Sequence, residues 1–412
     1  MINHPQMTNY KNPNPLKKNF FIVLLLLLVQ CSKEAEKIEE PKITHEYLVS
    51  SNLLNKYGKA VTGGFLGLIS QSGQGRDIYD IEVHKIVYKT KTVAGKETEA
   101  SGVVMFPKLE KPLPLLSYQH GTITDESSVP SNITNFGIGE YGALAIFSAT
   151  GLIVSMPDYL GYGASSDQPH PYEHGKSLAA ASYDMLKAVE EFLEVQKIEK
   201  SDQLYLMGYS EGGYATLALH KLMEASGEDR ITATLAGAGA YTKTAFSKAI
   251  IGLNKPLEFI PNYLWVLHTY NRIYSTLKRP WSDYVNVPYA QHLEALQTIT
   301  SSTIDQLIDN RKVETNPKKL FKESLISGIN NGSDTALLNA FADNDLLDWT
   351  PKAPVFLYHG TEDDFVFPLN SSITAQALNA KGGKVSYVLL EGKDHATAVL
   401  DYFSNCITKI YE

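Results

Sequence analysis

The pentapeptide Gly208-Tyr209-Ser210-Glu211-Gly212 constrains this chain more than any other feature. Ahead of it, Gln203-Leu204-Tyr205-Leu206-Met207 is a short apolar run of the kind found in a buried strand. Behind it, Ala215, Ala218, Leu219 and Leu222 recur at helical spacing. A backbone that passes so abruptly from strand to helix is strained, and side chains beside the apex would collide with the neighbouring strand and helix. The flanking glycines remove those side chains, and Ser210 is pushed out as an exposed hydroxyl.

Further apolar runs of β type surround this turn: Leu113 to Tyr118, Leu152 to Met156, Ile231 to Ala236, Val355 to Tyr358 and Val385 to Leu390. Such continuous runs suit parallel strands buried on both faces. Tyr79, Ile81 and Val83 alternate with polar residues, and Val103 to Phe106 supply a partner across a turn near Ala94-Gly95. Apolar positions from about Glu46 to Ile69 are spaced as in a helix. Leu178, Ala181, Met185, Val189 and Phe192 mark one amphipathic face, and residues 371–380 and 396–410 supply later helices. The fold class expected is α/β: a doubly wound, mostly parallel sheet after an antiparallel start. Residues 241–350 break the rhythm, with no core strand and many aromatics, among them Phe259, Tyr263, Trp265, Tyr270 and Trp281. A structureless loop of that length is improbable, so the segment reads as a helical cap over a substrate pocket. The core then comprises 45–240 and 351–412.

The first residues stand apart. Lys17-Lys18 precede the apolar run Phe20 to Val29, too short for a comfortable membrane span, and the pattern is that of a signal peptide over residues 1–30. Leu28-Val29-Gln30-Cys31 resembles a bacterial lipobox, which makes Cys31 the lipidated first residue of the mature chain. Gln30 departs from the small residue usual at that place. A charged tether, 31–44, follows and resembles surface-export signals of Gram-negative lipoproteins. The expectation is an exported protein, lipid-anchored to the outer membrane. Cys406, the second of two cysteines, is then left without a disulfide partner. The net charge of -8 argues against nucleic acid as a partner.

A serine at neutral pH needs a base, an acid that orients the base, and donors for an oxyanion. The acid expected is Asp363, just beyond the strand ending at Tyr358, with Asp364 next in line. His395, after the last strand and before the last helix, is the expected base, and Asp394 beside it reads as a helix cap. The oxyanion donors expected are the backbone N–H of Glu211 and that of Thr122 or Gly121, in the loop Gln119-His120-Gly121-Thr122. His120 shapes this loop, and Asp158 and Tyr159 organise the glycine-rich loop Pro157 to Gly163. His170-Pro171-Tyr172-Glu173-His174 matches the zinc-protease string H-x-x-E-H, but Pro171 and the preceding Asp167-Gln168-Pro169 place it in a loop. Neither a metal nor a cofactor is called for.

Together these residues resemble the α/β-hydrolase superfamily. More narrowly, they resemble the secretory lipase family, the fungal lipase A-like group and its bacterial relatives. The strings that carry the likeness are Tyr118 to Thr122, Pro157 to Gly163, Gly208 to Gly213, His359 to Asp363 and Asp394-His395. The resemblance implies a triad of Ser210, Asp363 and His395, a helical cap before the acid strand, and action on carboxylic esters. Glu211 departs from the glutamine of many relatives, and a carboxylate there would disfavour anionic substrates. The reading is a serine carboxylic-ester hydrolase acting on a small-molecule or lipid ester. A prolyl oligopeptidase-type peptidase is the first alternative, although no propeller repeats precede the motif. An inactive surface binding lipoprotein is the second.

Overall fold

The structure, a computed structural model, describes residues 45–62, 76–133 and 140–412. Cys31 and the signal and tether segments lie outside the described residues. The described strands form one nine-stranded sheet in the order β1-β2-β3-β5-β4-β6-β7-β8-β9. They are β1 (Leu48–Tyr57), β2 (Ile81–Lys91), β3 (Glu97–Pro107), β4 (Leu113–Gln119), β5 (Ile153–Pro157), β6 (Lys200–Tyr209), β7 (Ile231–Gly237), β8 (Val355–Gly360) and β9 (Val385–Leu390). β1, β2, β3 and β5 pair antiparallel, and β5, β4 and β6 to β9 pair parallel. This is the mostly parallel sheet after an antiparallel start that the pattern of runs predicts.

Helices cover both faces because the strands are apolar on both. Leu116, Tyr118, Val154, Met156, Tyr205 and Met207 pack towards α1 (Glu140–Ala149) and the C-terminal helix. The alternate residues Leu115, Ile153, Leu204 and Leu206 pack against α2 (Gly175–Gln196) and α3 (Glu211–Ala225). Between β7 and β8 the chain is helical: α4 (Lys243–Ile250), α5 (Ile260–Ile273), α6 (Ser301–Asp309), α7 (Glu323–Asn331) and α8 (Thr335–Asp343), with shorter turns among them. These helices bury a core of their own, including Phe246, Phe259, Leu264, Tyr270, Phe321 and Phe341. The last two helices are α9 (Leu369–Ala380) and α10 (Ala398–Tyr411). Cys406 is buried in α10, where burial pushes its thiol up, well above the ordinary range.

One element differs from the sequence reading. Leu48–Tyr57, within the span read as helical, is an edge strand paired with β2. Register shifts between Leu48 and Ser50 and between Leu53 and Asn55 break its two-residue alternation. The apolar positions thereby fall at spacings that imitate a helix. Asp394 also differs in detail. It accepts from Thr397 N at 2.7 Å and caps the turn ahead of α10, whose cap residue is Thr397 itself.

Candidate functional site

Ser210 stands between β6 and α3 with φ 59° and ψ -125°, a left-handed φ that a side-chain-bearing residue adopts only under constraint. The constraint is the close approach of three backbones. A Cβ on Gly212 would run into the Gln119 carbonyl of β4, and one on Gly208 would meet the Gly212 and Gln119 carbonyls. Ser210 N donates to Gly237 O at 2.9 Å, which ties the turn to the end of β7.

The loops after β8 and β9 reach the same point. His395 Nε2 lies 2.9 Å from Ser210 Oγ, and His395 Nδ1 lies 2.7 Å from Asp363 Oδ2. With Nδ1–H donating to the carboxylate, the Nε2 lone pair is free to accept the serine proton. Tyr209 Oη donates to the His395 carbonyl at 2.7 Å, and the Phe365 ring stacks on the imidazole at 4.9 Å between centroids. Both restrain the histidine. Asp364 takes no part in this chain of bonds.

Asp363 is 3% exposed. Burial alone would raise its carboxyl, but hydrogen bonds from His359 and His395 and the charge of those rings outweigh it and hold it at about 2. Its other oxygen, Oδ1, accepts from Val366 N at 2.8 Å and Phe365 N at 3.0 Å. His359 is fully buried at the end of β8, four residues before the aspartate. Its Nε2 faces both Val366 O at 2.6 Å and Asp363 Oδ2 at 3.2 Å, and its Nδ1 meets Ser371 Oγ at 2.7 Å. The sequence reading gave this histidine no role. Its place one residue before Gly360, at the mouth of a strand, was the available signal.

The loop after β4 lies alongside the serine, since a Cβ on Gly121 would sit 3.8 Å from Ser210 Cβ. Of the two expected donors, Gly121 N points to Glu140 Oε1 at 3.4 Å. His120 is buried with its nitrogens 2.7 Å from Gly121 O and 3.3 Å from Asp158 O. Asp158 accepts from Ser101 Oγ at 2.5 Å and Ser131 N at 2.8 Å, so it anchors its loop from within.

The Glu211 side chain does not face the site. It is 2% exposed, with Oε1 2.8 Å from His170 Nε2. His170 Nδ1 lies 2.7 Å from Leu160 O, so the carboxylate's partner is itself held from its other side. The carboxylate is thus engaged inside the protein, away from the pocket that Ser210 lines. The rest of the H-x-x-E-H string is equally committed. Glu173 pairs with Lys243, and His174 Nδ1 meets Ser177 Oγ at 2.5 Å. Among the described residues no group of three or more His, Cys, Asp or Glu side chains is arranged to hold a metal ion.

Ser210 opens into a pocket of about 520 Å³, its mouth included, walled mainly by Phe246, Phe259, Tyr263, Val266, Phe341 and Phe365. Most of these come from the helices between β7 and β8. A hydroxyl with a proton acceptor, beside an apolar pocket, is an arrangement suited to attack on a carbonyl whose acyl chain lies in the pocket.

Known proteins give the same picture. The family model for secretory lipases matches residues 138–412. No curated protein matches the chain. Among solved structures, a Legionella pneumophila protein provisionally called a hydrolase is 24% identical, with a TM-score of 0.76 over 89% of this chain and 98% of that one. The rice cell wall degrading esterase LipA from Xanthomonas oryzae is 23% identical, with a TM-score of 0.74 over 88% and 96%. Candida antarctica lipase A is 16% identical, with a TM-score of 0.59 over 85% and 78%. At these identities the likeness is one of fold.

Proposed function

Because the chain belongs to the secretory lipase family and is thus a carboxylic-ester hydrolase, we propose that Ser210, His395 and Asp363 form its catalytic triad and that it works through an acyl-enzyme. Ser210 Oγ attacks the ester carbonyl as His395 Nε2 takes its proton. Asp363 holds the imidazole in the tautomer that makes this possible and stabilises the imidazolium that results. The N–H groups of Glu211 and Thr122 receive the oxyanion. His395 then returns the proton to the departing alcohol, leaving the acyl group on Ser210. A water, deprotonated by the same nitrogen, releases the carboxylic acid. The helices between β7 and β8 act as a cap whose aromatic side chains hold the acyl chain.

The observation that carries this reading is the unbroken chain of bonds from Ser210 Oγ through His395 to Asp363, at 2.9 and 2.7 Å, beside an apolar pocket. The test is hydrolysis of p-nitrophenyl esters from acetyl to palmitoyl by wild type and Ser210→Ala. The variant is expected to lose roughly 10⁶-fold in kcat. A variant that still turns over esters at the wild-type rate refutes the serine mechanism. An aminoacyl amide cleaved faster than any ester moves the chain to the peptidases.

The family's secretory character supports export. We propose further that Cys31 carries the lipid anchor. Cys31→Ser is expected to move the enzyme from the membrane to the soluble fraction, and radiolabelled palmitate incorporated equally by both proteins overturns the assignment.

A further inference from the structure

Tyr172, from the string that imitates a zinc motif, reaches the oxyanion loop. It is 4% exposed and lies in the wall of the pocket onto which Ser210 opens. Asn262 Nδ2 donates to its hydroxyl at 3.0 Å, and that hydroxyl meets Thr122 Oγ1 at 2.9 Å. Its ring stacks on Trp265 with centroids 4.1 Å apart and planes within 6°. Burial raises the pKa of the phenol, so it stays un-ionised and keeps its hydrogen. Asn262 and Trp265 both belong to α5, in the helical segment. The phenol is thus fixed at its face and at its tip by one helix, and presents its oxygen to a residue three places beyond the end of β4.

We propose that Tyr172 is a positioning residue for the oxyanion donor at Thr122, and that α5 thereby takes part in the turnover of every ester, including those too short to fill the pocket. This rests on the triad reading above. A backbone N–H stabilises an oxyanion only when held at hydrogen-bond distance from the place where the charge develops. Thr122 stands in a loop, where the peptide plane can rock, and the neighbouring Gly121 N–H is turned to Glu140. Tethering Thr122 Oγ1 to a buried phenol fixes the residue that carries the donor. The benefit falls on the transition state, where the oxygen is charged, and hardly on substrate binding.

The test compares Tyr172→Phe, Thr122→Val and the double variant on p-nitrophenyl acetate. Rates are taken per active site, as titrated by a p-nitrophenyl phosphonate, so that misfolded protein does not count as slow enzyme. Tyr172→Phe keeps the ring against Trp265 and removes only the hydroxyl. Its kcat is expected to fall roughly tenfold, the effect of one hydrogen bond, with KM within about twofold. Affinity for phenylboronic acid, which forms a tetrahedral adduct with the serine, should weaken by the same factor. The double variant is expected to be no slower than the slower single one. Wild-type kcat in Tyr172→Phe overturns the proposal. So do losses that multiply in the double variant, because the two residues then act separately. Ser210→Ala, which the phosphonate cannot titrate and whose rate is taken per mole of folded protein, keeps the failures apart: if it is dead while Tyr172→Phe is unaffected, only this inference falls.

Discussion

At the scale of single residues, Asp363 ties the site's electrostatics to stability. Its carboxyl is held at about 2 in the fold, against an ordinary value of 3.8. A carboxyl with a depressed folded-state pKa gives stability that is complete above the unfolded value and is lost as pH falls through the folded one. Asp363 therefore contributes in full above about pH 4 and stops contributing near pH 2. The stability difference between wild type and Asp363→Asn should shrink as pH is lowered from about 5 to 2, as read from urea midpoints. A constant difference over that window argues that His359 and His395 do not hold the charge. Because the carboxylate stays ionised through mildly acidic pH, it is not the source of any activity loss there. In turnover, the same substitution is expected to cost about 10⁴-fold in kcat at neutral pH, because asparagine leaves His395 in the wrong tautomer.

At the scale of elements, the helices between β7 and β8 supply most of the pocket wall next to Ser210. Ala240 lines the pocket between β7 and α4 and is nearly buried. Ala240→Leu adds an isopropyl group to that wall. It is expected to lower kcat/KM for octanoyl and longer p-nitrophenyl esters by roughly tenfold relative to acetyl. An unchanged chain-length profile places the acyl group elsewhere. Here the sequence was informative in a particular way. The inner parallel strands announce themselves as apolar runs because both their faces are covered, and the turns after β6, β8 and β9 deliver Ser210, Asp363 and His395 to one edge. Elements and partners that depend on distant residues left no such trace. β1 was hidden by its bulges. Nothing local to Gly121 indicates that Glu140 takes its N–H, nothing in Glu211 points to His170, and the partnership of His359 with Asp363 shows only once the turn between them is closed. The H-x-x-E-H string misleads for the same reason, as His170, Tyr172 and Glu173 are matched to residues 41 to 90 positions away.

At the scale of the molecule, the apolar core of the helical segment also takes in Tyr172 and Val366 from loops of the sheet core, and polar ties join the two as well. Lys243, the first residue of α4, is one of these ties and is buried, at 4% exposure. It donates to Glu173 in the loop before α2 and to Ala240 O at 2.7 Å, and its ammonium lies 3.6 Å from the centroid of the Tyr214 ring on α3. Tyr270 of α5 grips the same loop, donating to Glu173 O at 2.8 Å. A buried pair of this kind adds little net stability over an apolar pair, because removing both charges from water costs nearly what their attraction returns. Breaking it on one side is another matter, since the remaining charge is left without a partner. Lys243→Met is therefore expected to lose about 3 to 5 kcal/mol of unfolding free energy, and Lys243→Met combined with Glu173→Gln to recover most of it. Urea unfolding of the two variants and wild type measures both quantities. If the single and double variants unfold alike, the lysine's contacts with Tyr214 and Ala240 matter more than its ion pair. If the double variant matches wild type in stability yet changes its preference among acyl esters, the pair serves the pocket: two charges held in an aromatic wall mark where an acyl chain must stop.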